Sequence, residues 1–315
     1  MGRERIAVLF VHGVEIDDGE LAVQPMQLLS RRFTAIAGVP AEDVLVMRAA
    51  LWGAALHRRQ EELFRRCLGG GEATAFSQQM TDLVKQVNAG SWPALLKLVA
   101  RTVWPFPLGE SGLQYPALRW FVLHLLGDAV SYQRVGGDDV YREVHDSVSE
   151  ALGELATEAG PDATLCVIAH SLGTVIATNH FDNLRREPGE DGTALQRGET
   201  LGFLYTLGCP MAVWAASYPE SQDLGEPIPV PAPGFPLRHP ELGWTNILYR
   251  EDVVGYPLQP LGGRYAERVK DRVIDVGPLP LRNNPLAHLW YWHDRAVIDP
   301  IATSLAKFWA ARPRR

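Results

Sequence analysis

The residue types best suited to chemistry in this sequence are a serine, an aspartate and a histidine, met in that order as Ser171, Asp252 and His288. A serine hydroxyl is a weak nucleophile until a base takes its proton. A neutral imidazole serves as that base when a carboxylate fixes its tautomer and stabilises the imidazolium that forms. Ser171 stands where the apolar run of residues 165–169 passes through Ala169, His170, Ser171, Leu172 and Gly173 into a helical pattern. A serine on such a strand-to-helix turn has its oxygen held out at the C-terminal edge of a sheet, and the strained turn accepts only small neighbours. Gly173 meets that need, and Ala169 adds one methyl group to the first glycine of the usual Gly-x-Ser-x-Gly pattern. The competing role for Ser171 is the ordinary one of an N-cap on the helix that begins at Leu172.

Asp252 follows the predicted strand 245–249 within a short turn that ends at Gly255, which suits a carboxylate aimed at an imidazole. Glu251 and Asp275 are its competitors, and an aspartate near a strand end is also a common turn residue. His288 lies at a loop-to-helix boundary. His293, about one and a half turns into the helix predicted over 289–311, is the alternative base and reads better as a packed or solvated helical histidine. After the first strand come His12 and Gly13, where glycine lets a loop approach a substrate oxygen closely. The N–H groups of Val14 and Leu172 are the candidate oxyanion-hole donors, and His12 and His170 are expected to shape the substrate pocket. This chemistry requires no metal and no organic cofactor.

These residues can meet only if strands deliver them to one edge. Residues 6–11 form a continuous apolar run, as a strand buried on both faces should. A helical pattern over 20–37 ends at Gly38, and a second strand is expected at 43–47, giving the alternation of a parallel α/β sheet. The alternation then stops for about 85 residues, a span in which only helical periodicity is read. Residues 54–138 are therefore expected to be a helical insertion in a single domain of 315 residues. A helix over 139–159 and a strand over 164–169 resume the pattern, with further strands at 201–207, 245–249 and 272–276. The expected architecture is a mostly parallel sheet of about six strands flanked by helices.

Within the insertion, residues 91–132 carry Trp92, Trp104, Phe106, Tyr115, Trp120 and Phe121 among many leucines and valines. This is more apolar surface than a connector needs. A cap or lid over an apolar substrate site and a helix pair packed on the main core both fit it. Six prolines between 227 and 240 predict a stiff, extended surface connection.

Composition narrows the function classes. A net charge of -7 gives no clustered basic excess for neutralising nucleic-acid phosphates. Three widely spaced cysteines fit neither a disulfide framework nor a zinc site and suit a reducing, cytoplasmic compartment. The apolar start is too short for a signal-peptide core, and no run is long enough to predict a membrane span.

Through His12-Gly13, residues 169–173, the segment Leu207-Gly208-Cys209-Pro210, Asp252 and residues 288–292, the chain resembles lipases and serine esterases of the α/β-hydrolase superfamily. The likeness covers the N-terminal 50 residues and most of the chain after residue 139, leaving out the insertion. It implies an α/β-hydrolase fold and hydrolysis of an acyl ester, with a small-molecule, moderately apolar or lipid-like substrate. A binding protein that keeps this fold and holds a lipid or a protein partner is the alternative.

Overall fold

The structure is a computed structural model that describes residues 5–13, 20–68, 70–108, 113–132, 138–187, 189, 191–215, 226–277, 282 and 285–312. Val14 lies outside the described residues. The chain divides into two compact units, one of Met1–Gly13, Pro25–Ala50 and His145–Arg315, the other of Val14–Gln24 and Leu51–Val144.

The first unit is built on a six-stranded parallel sheet: β1 (Ile6–Val11), β2 (Leu45–Ala50), β3 (Thr164–His170), β4 (Leu201–Leu207), β5 (Gly243–Tyr249) and β6 (Val269–Ile274). Their order across the sheet is β2-β1-β3-β4-β5-β6. Every residue of β1, β3 and β4 is buried, which is why their sequences are continuous apolar runs without alternation. At the edge, β6 carries Lys270, Asp271 and Arg272, and such charges discourage pairing with another chain. Helices flank the sheet, making this an α/β fold. They include α1 (Glu20–Ala37), α6 (Asp138–Ala159), α7 (Leu172–Arg186) and α10 (Arg295–Ala310). Phe33 of α1 meets Trp309 of α10 edge-on at 6.5 Å, and Arg32 is paired with Asp299.

From β1 the chain moves outward to β2, then returns to the other side of β1 as β3. In open parallel sheets a crevice forms at such a reversal, beyond the C-terminal ends of the strands. Val11 and Ala169 are register partners, so β1 and β3 end within one residue of each other at this point.

Three elements depart from the sequence reading. The second strand begins at Leu45, because residues 41–43 close a 3-10 turn in which the Val44 N–H bonds to the Ala41 carbonyl at 3.0 Å. The sixth strand spans Val269–Ile274, with Trp244 paired to Val269, and its polar edge residues left little apolar pattern to read. The last helix begins at Arg295, where Asp294 Oδ1 accepts the Ala296 N–H at 2.8 Å as an N-cap. Before it come two 3-10 turns, Pro285–Leu289 and Tyr291–His293.

The second unit contains α2 (Ala54–Leu68), α3 (Gly70–Asn88), α4 (Trp92–Thr102) and α5 (Pro116–Tyr132). Its interior holds Phe64, Met80, Leu95, Leu98 and Trp120, all fully buried. Phe64 stacks on Phe76 at 6.2 Å, and the Trp120 indole N–H donates to Ser77 Oγ at 2.9 Å. Two more helices among the described residues, α8 (Met211–Ala215) and α9 (Gly263–Arg268), are short connections in the first unit. Among the described residues, no helix is long and apolar enough to cross a membrane.

Candidate active site

Ser171 is the single residue between β3 and α7, and its backbone has φ 53° and ψ −131°. That region belongs to glycine, and a side chain held there costs on the order of 1–3 kcal/mol. Three hydrogen bonds hold it: the Ser171 N–H donates to the Leu207 carbonyl at 3.0 Å, while its carbonyl accepts from the Thr174 N–H at 2.9 Å and from Thr174 Oγ1 at 2.7 Å. The hydroxyl makes no capping bond to α7. It lies 2.8 Å from His288 Nε2 instead, so the capping role does not account for this serine.

Close backbone approach explains the flanking glycines. A Cβ on Gly173 would fall 2.3 Å from the His12 carbonyl oxygen and 2.4 Å from that of Val11. One on Gly13 would fall 2.6 Å from the Ser171 Cβ. The ends of β1 and β3 can therefore converge only with glycine at both places.

Asp252 stands three residues beyond the end of β5, with its carboxylate withdrawn from solvent. Oδ1 accepts the Val254 N–H at 2.8 Å. Oδ2 lies 2.9 Å from His288 Nδ1 and accepts the Tyr291 hydroxyl at 2.8 Å. Burial alone would raise the pKa of Asp252, but the His288 charge and hydrogen bond, with those from Val254 and Tyr291, outweigh it and bring it down to about 2. The carboxylate is thus an anion at neutral pH. The partners assign the neutral imidazole tautomer: Nδ1–H donates to Asp252, leaving the Nε2 lone pair to accept from Ser171.

The alternative residues make other contacts. Asp275 pairs with Arg250 at 3.0 Å, both well exposed, and Glu251 Oε2 accepts the Val276 N–H at 3.4 Å. His293 lies in the 3-10 turn with its ring 5.0 Å from Trp290. His12 and His170 are buried, with ring bonds to backbone oxygens: His12 Nδ1 to Gly13 at 2.7 Å and His170 Nε2 to His288 at 2.9 Å. Burial lowers their pKa values to about 4 and about 3, so both are neutral donors, and His170 braces the main chain of His288. Leu172 is the first residue of α7, where an N–H has no acceptor within the helix and lies at its positive end.

Tyr291, Gly208 and Gly255 complete the arrangement and were not singled out from the sequence for these roles. A Cβ on Gly208, whose φ is +55°, would fall 2.8 Å from Asp252 Oδ2, 2.9 Å from Tyr291 Cε2 and 3.1 Å from His288 Cε1. A Cβ on Gly255 would fall at the same 2.8 Å from Asp252 Oδ2. Sequence signals for them are slight: Tyr291 comes one short helical turn after His288, and Gly208 directly follows a strand.

No protein-family model matches the chain, and no curated protein matches it significantly.

Proposed function

We propose that the chain is a serine hydrolase of the α/β-hydrolase type that cleaves carboxylic esters through an acyl-enzyme on Ser171. The observation carrying this reading is the unbroken series Ser171 Oγ, His288 Nε2, His288 Nδ1, Asp252 Oδ2, with links of 2.8 and 2.9 Å. The positive φ of Ser171 and its place beside the reversal between β1 and β3 add support.

In this mechanism the Ser171 oxygen bonds to the acyl carbon as His288 Nε2 takes its proton, and the carbonyl electron pair moves onto oxygen. Collapse of the tetrahedral intermediate breaks the bond to the alcohol, which leaves with the proton from His288. Water, deprotonated by the same nitrogen, then bonds to the acyl carbon; the bond to Ser171 Oγ breaks, the serine takes the proton back from His288, and the acid leaves. Asp252 stays ionised and stabilises the imidazolium throughout. The Leu172 N–H serves the oxyanion, the sequence offering the Val14 N–H as a second donor, and losing one such donor costs on the order of 3 kcal/mol in other enzymes. The apolar composition of residues 91–132 favours a moderately apolar, lipid-like acyl group. The three free cysteines fit a cytoplasmic setting.

Fluorophosphonate labelling of the purified protein, read by mass spectrometry, tests the activated serine. Label on Ser171 that is absent from Ser171→Ala is expected, with octanoyl esters hydrolysed at least as well as acetyl esters. A folded protein that takes no label and cleaves neither ester would set the hydrolase reading aside in favour of a binding protein for a lipid or protein partner.

A further inference from the structure

We infer that Tyr291 is a positioning residue for the acid of this site, its hydroxyl fixing Asp252 Oδ2 and moderating the charge that His288 feels. The inference rests on the serine hydrolase reading and goes beyond the residues to which that reading gives a role.

The direction of each hydrogen bond follows from donor counting. Tyr291 Oη accepts the backbone N–H of Tyr249 at 2.8 Å, at the end of β5. Its one proton is therefore directed at Asp252 Oδ2, an ionised oxygen 2.8 Å away that can only accept. Burial, then the Asp252 charge, raise the Tyr291 pKa well above the ordinary value, so the phenol remains a donor at any working pH. The ring is fixed as well as the hydroxyl, since it stacks on Tyr249 at 4.1 Å. Tyr249 is itself anchored, with its hydroxyl donating to Asp294 Oδ2 at 3.0 Å at the N-terminus of α10.

Oδ2 consequently divides its charge between two donors, the phenol and the His288 Nδ1–H. With the phenol absent, more of that charge would act on the imidazole, and the carboxylate would keep only the Val254 N–H on Oδ1 and His288 itself on Oδ2 to set its rotation about χ2. Both effects reach the reaction through His288, and substrate binding is not involved.

Tyr291→Phe removes the oxygen and keeps the stacked ring. Its ester hydrolysis should show kcat reduced about tenfold with KM changed less than twofold, and the acid limb of the kcat/KM profile moved upward by half a pH unit or more. The low-field proton NMR signal of the His288–Asp252 hydrogen bond should shift in the same variant, independently of turnover. If wild type takes fluorophosphonate on Ser171 while Tyr291→Phe matches it in kcat, pH profile and proton signal, Tyr291 has no positioning role. If wild-type Ser171 takes no label, the hydrolase reading fails and the inference falls with it.

Discussion

Ser171 occupies a backbone conformation that glycine would adopt without penalty, so removing its side chain should help the fold even as it removes the chemistry. Ser171→Gly is expected to raise the unfolding free energy by about 1 kcal/mol, because relief of the local strain exceeds the extra freedom glycine gives the unfolded chain. Urea denaturation of the two proteins side by side measures this, and an unchanged or lower midpoint would show that the conformation carries no strain. The type and order of Ser171, Asp252 and His288 were legible because each stands where a predicted strand or loop ends. Tyr291 was not, because one tyrosine among Trp290 and Trp292 reads as packing, and only the bond from its oxygen to Asp252 distinguishes it. Gly208 belongs to the segment 207–210 that carries the resemblance, and glycine is needed there because Asp252, Tyr291 and His288 converge on its bare Cα.

The contact between β1 and α7 is the element on which the serine turn depends. The first residues of α7 pass against the end of β1 so closely that Gly173 faces two main-chain oxygens, and neither can swing away as a side chain would. Gly173→Ala should therefore lower stability by roughly 1–3 kcal/mol, the range for forced overpacking, and displace Ser171 from His288. Comparison of denaturation midpoints and labelling rates tests it; a loss below about 0.5 kcal/mol would mean that the helix shifts freely. Strands β1, β3 and β4 were legible because a strand buried on both faces is an uninterrupted apolar run. The bounds of β6 were not, since an edge strand bearing Lys270, Asp271 and Arg272 lacks that run. The start of α10 was placed early because the apolar periodicity continues through residues 289–293, while the Asp294 cap fixes the true beginning.

Across the first unit, four histidines are held neutral by burial, with pKa values lowered to about 4 for His12 and His145 and about 3 for His170 and His180. His145 and His180 also face each other, Nδ1 to Nδ1 at 3.1 Å. In the unfolded chain each would take a proton near pH 6.5, so below that value the unfolded state gains protons that the folded state refuses. Stability should accordingly decline as pH falls from about 6.5 toward 4, more steeply than the roughly 1.4 kcal/mol per pH unit that one group supplies. Asp252 acts lower: its contribution is present above the ordinary carboxylate value and is lost as pH falls toward about 2. Urea titrations at stepped pH separate the two windows, and a flat response between 6.5 and 4 would contradict the buried neutral histidines. The parallel order of the sheet has a temporal side. Val11 and Ala169 are partners across adjacent strands, yet the whole second unit is encoded between them. At about 5–20 residues per second, a ribosome needs on the order of ten to thirty seconds to deliver β3 after β1 is complete. During that interval β1, apolar at every position, is without its central neighbour, so the growing chain exposes a strand that the finished fold buries on both faces.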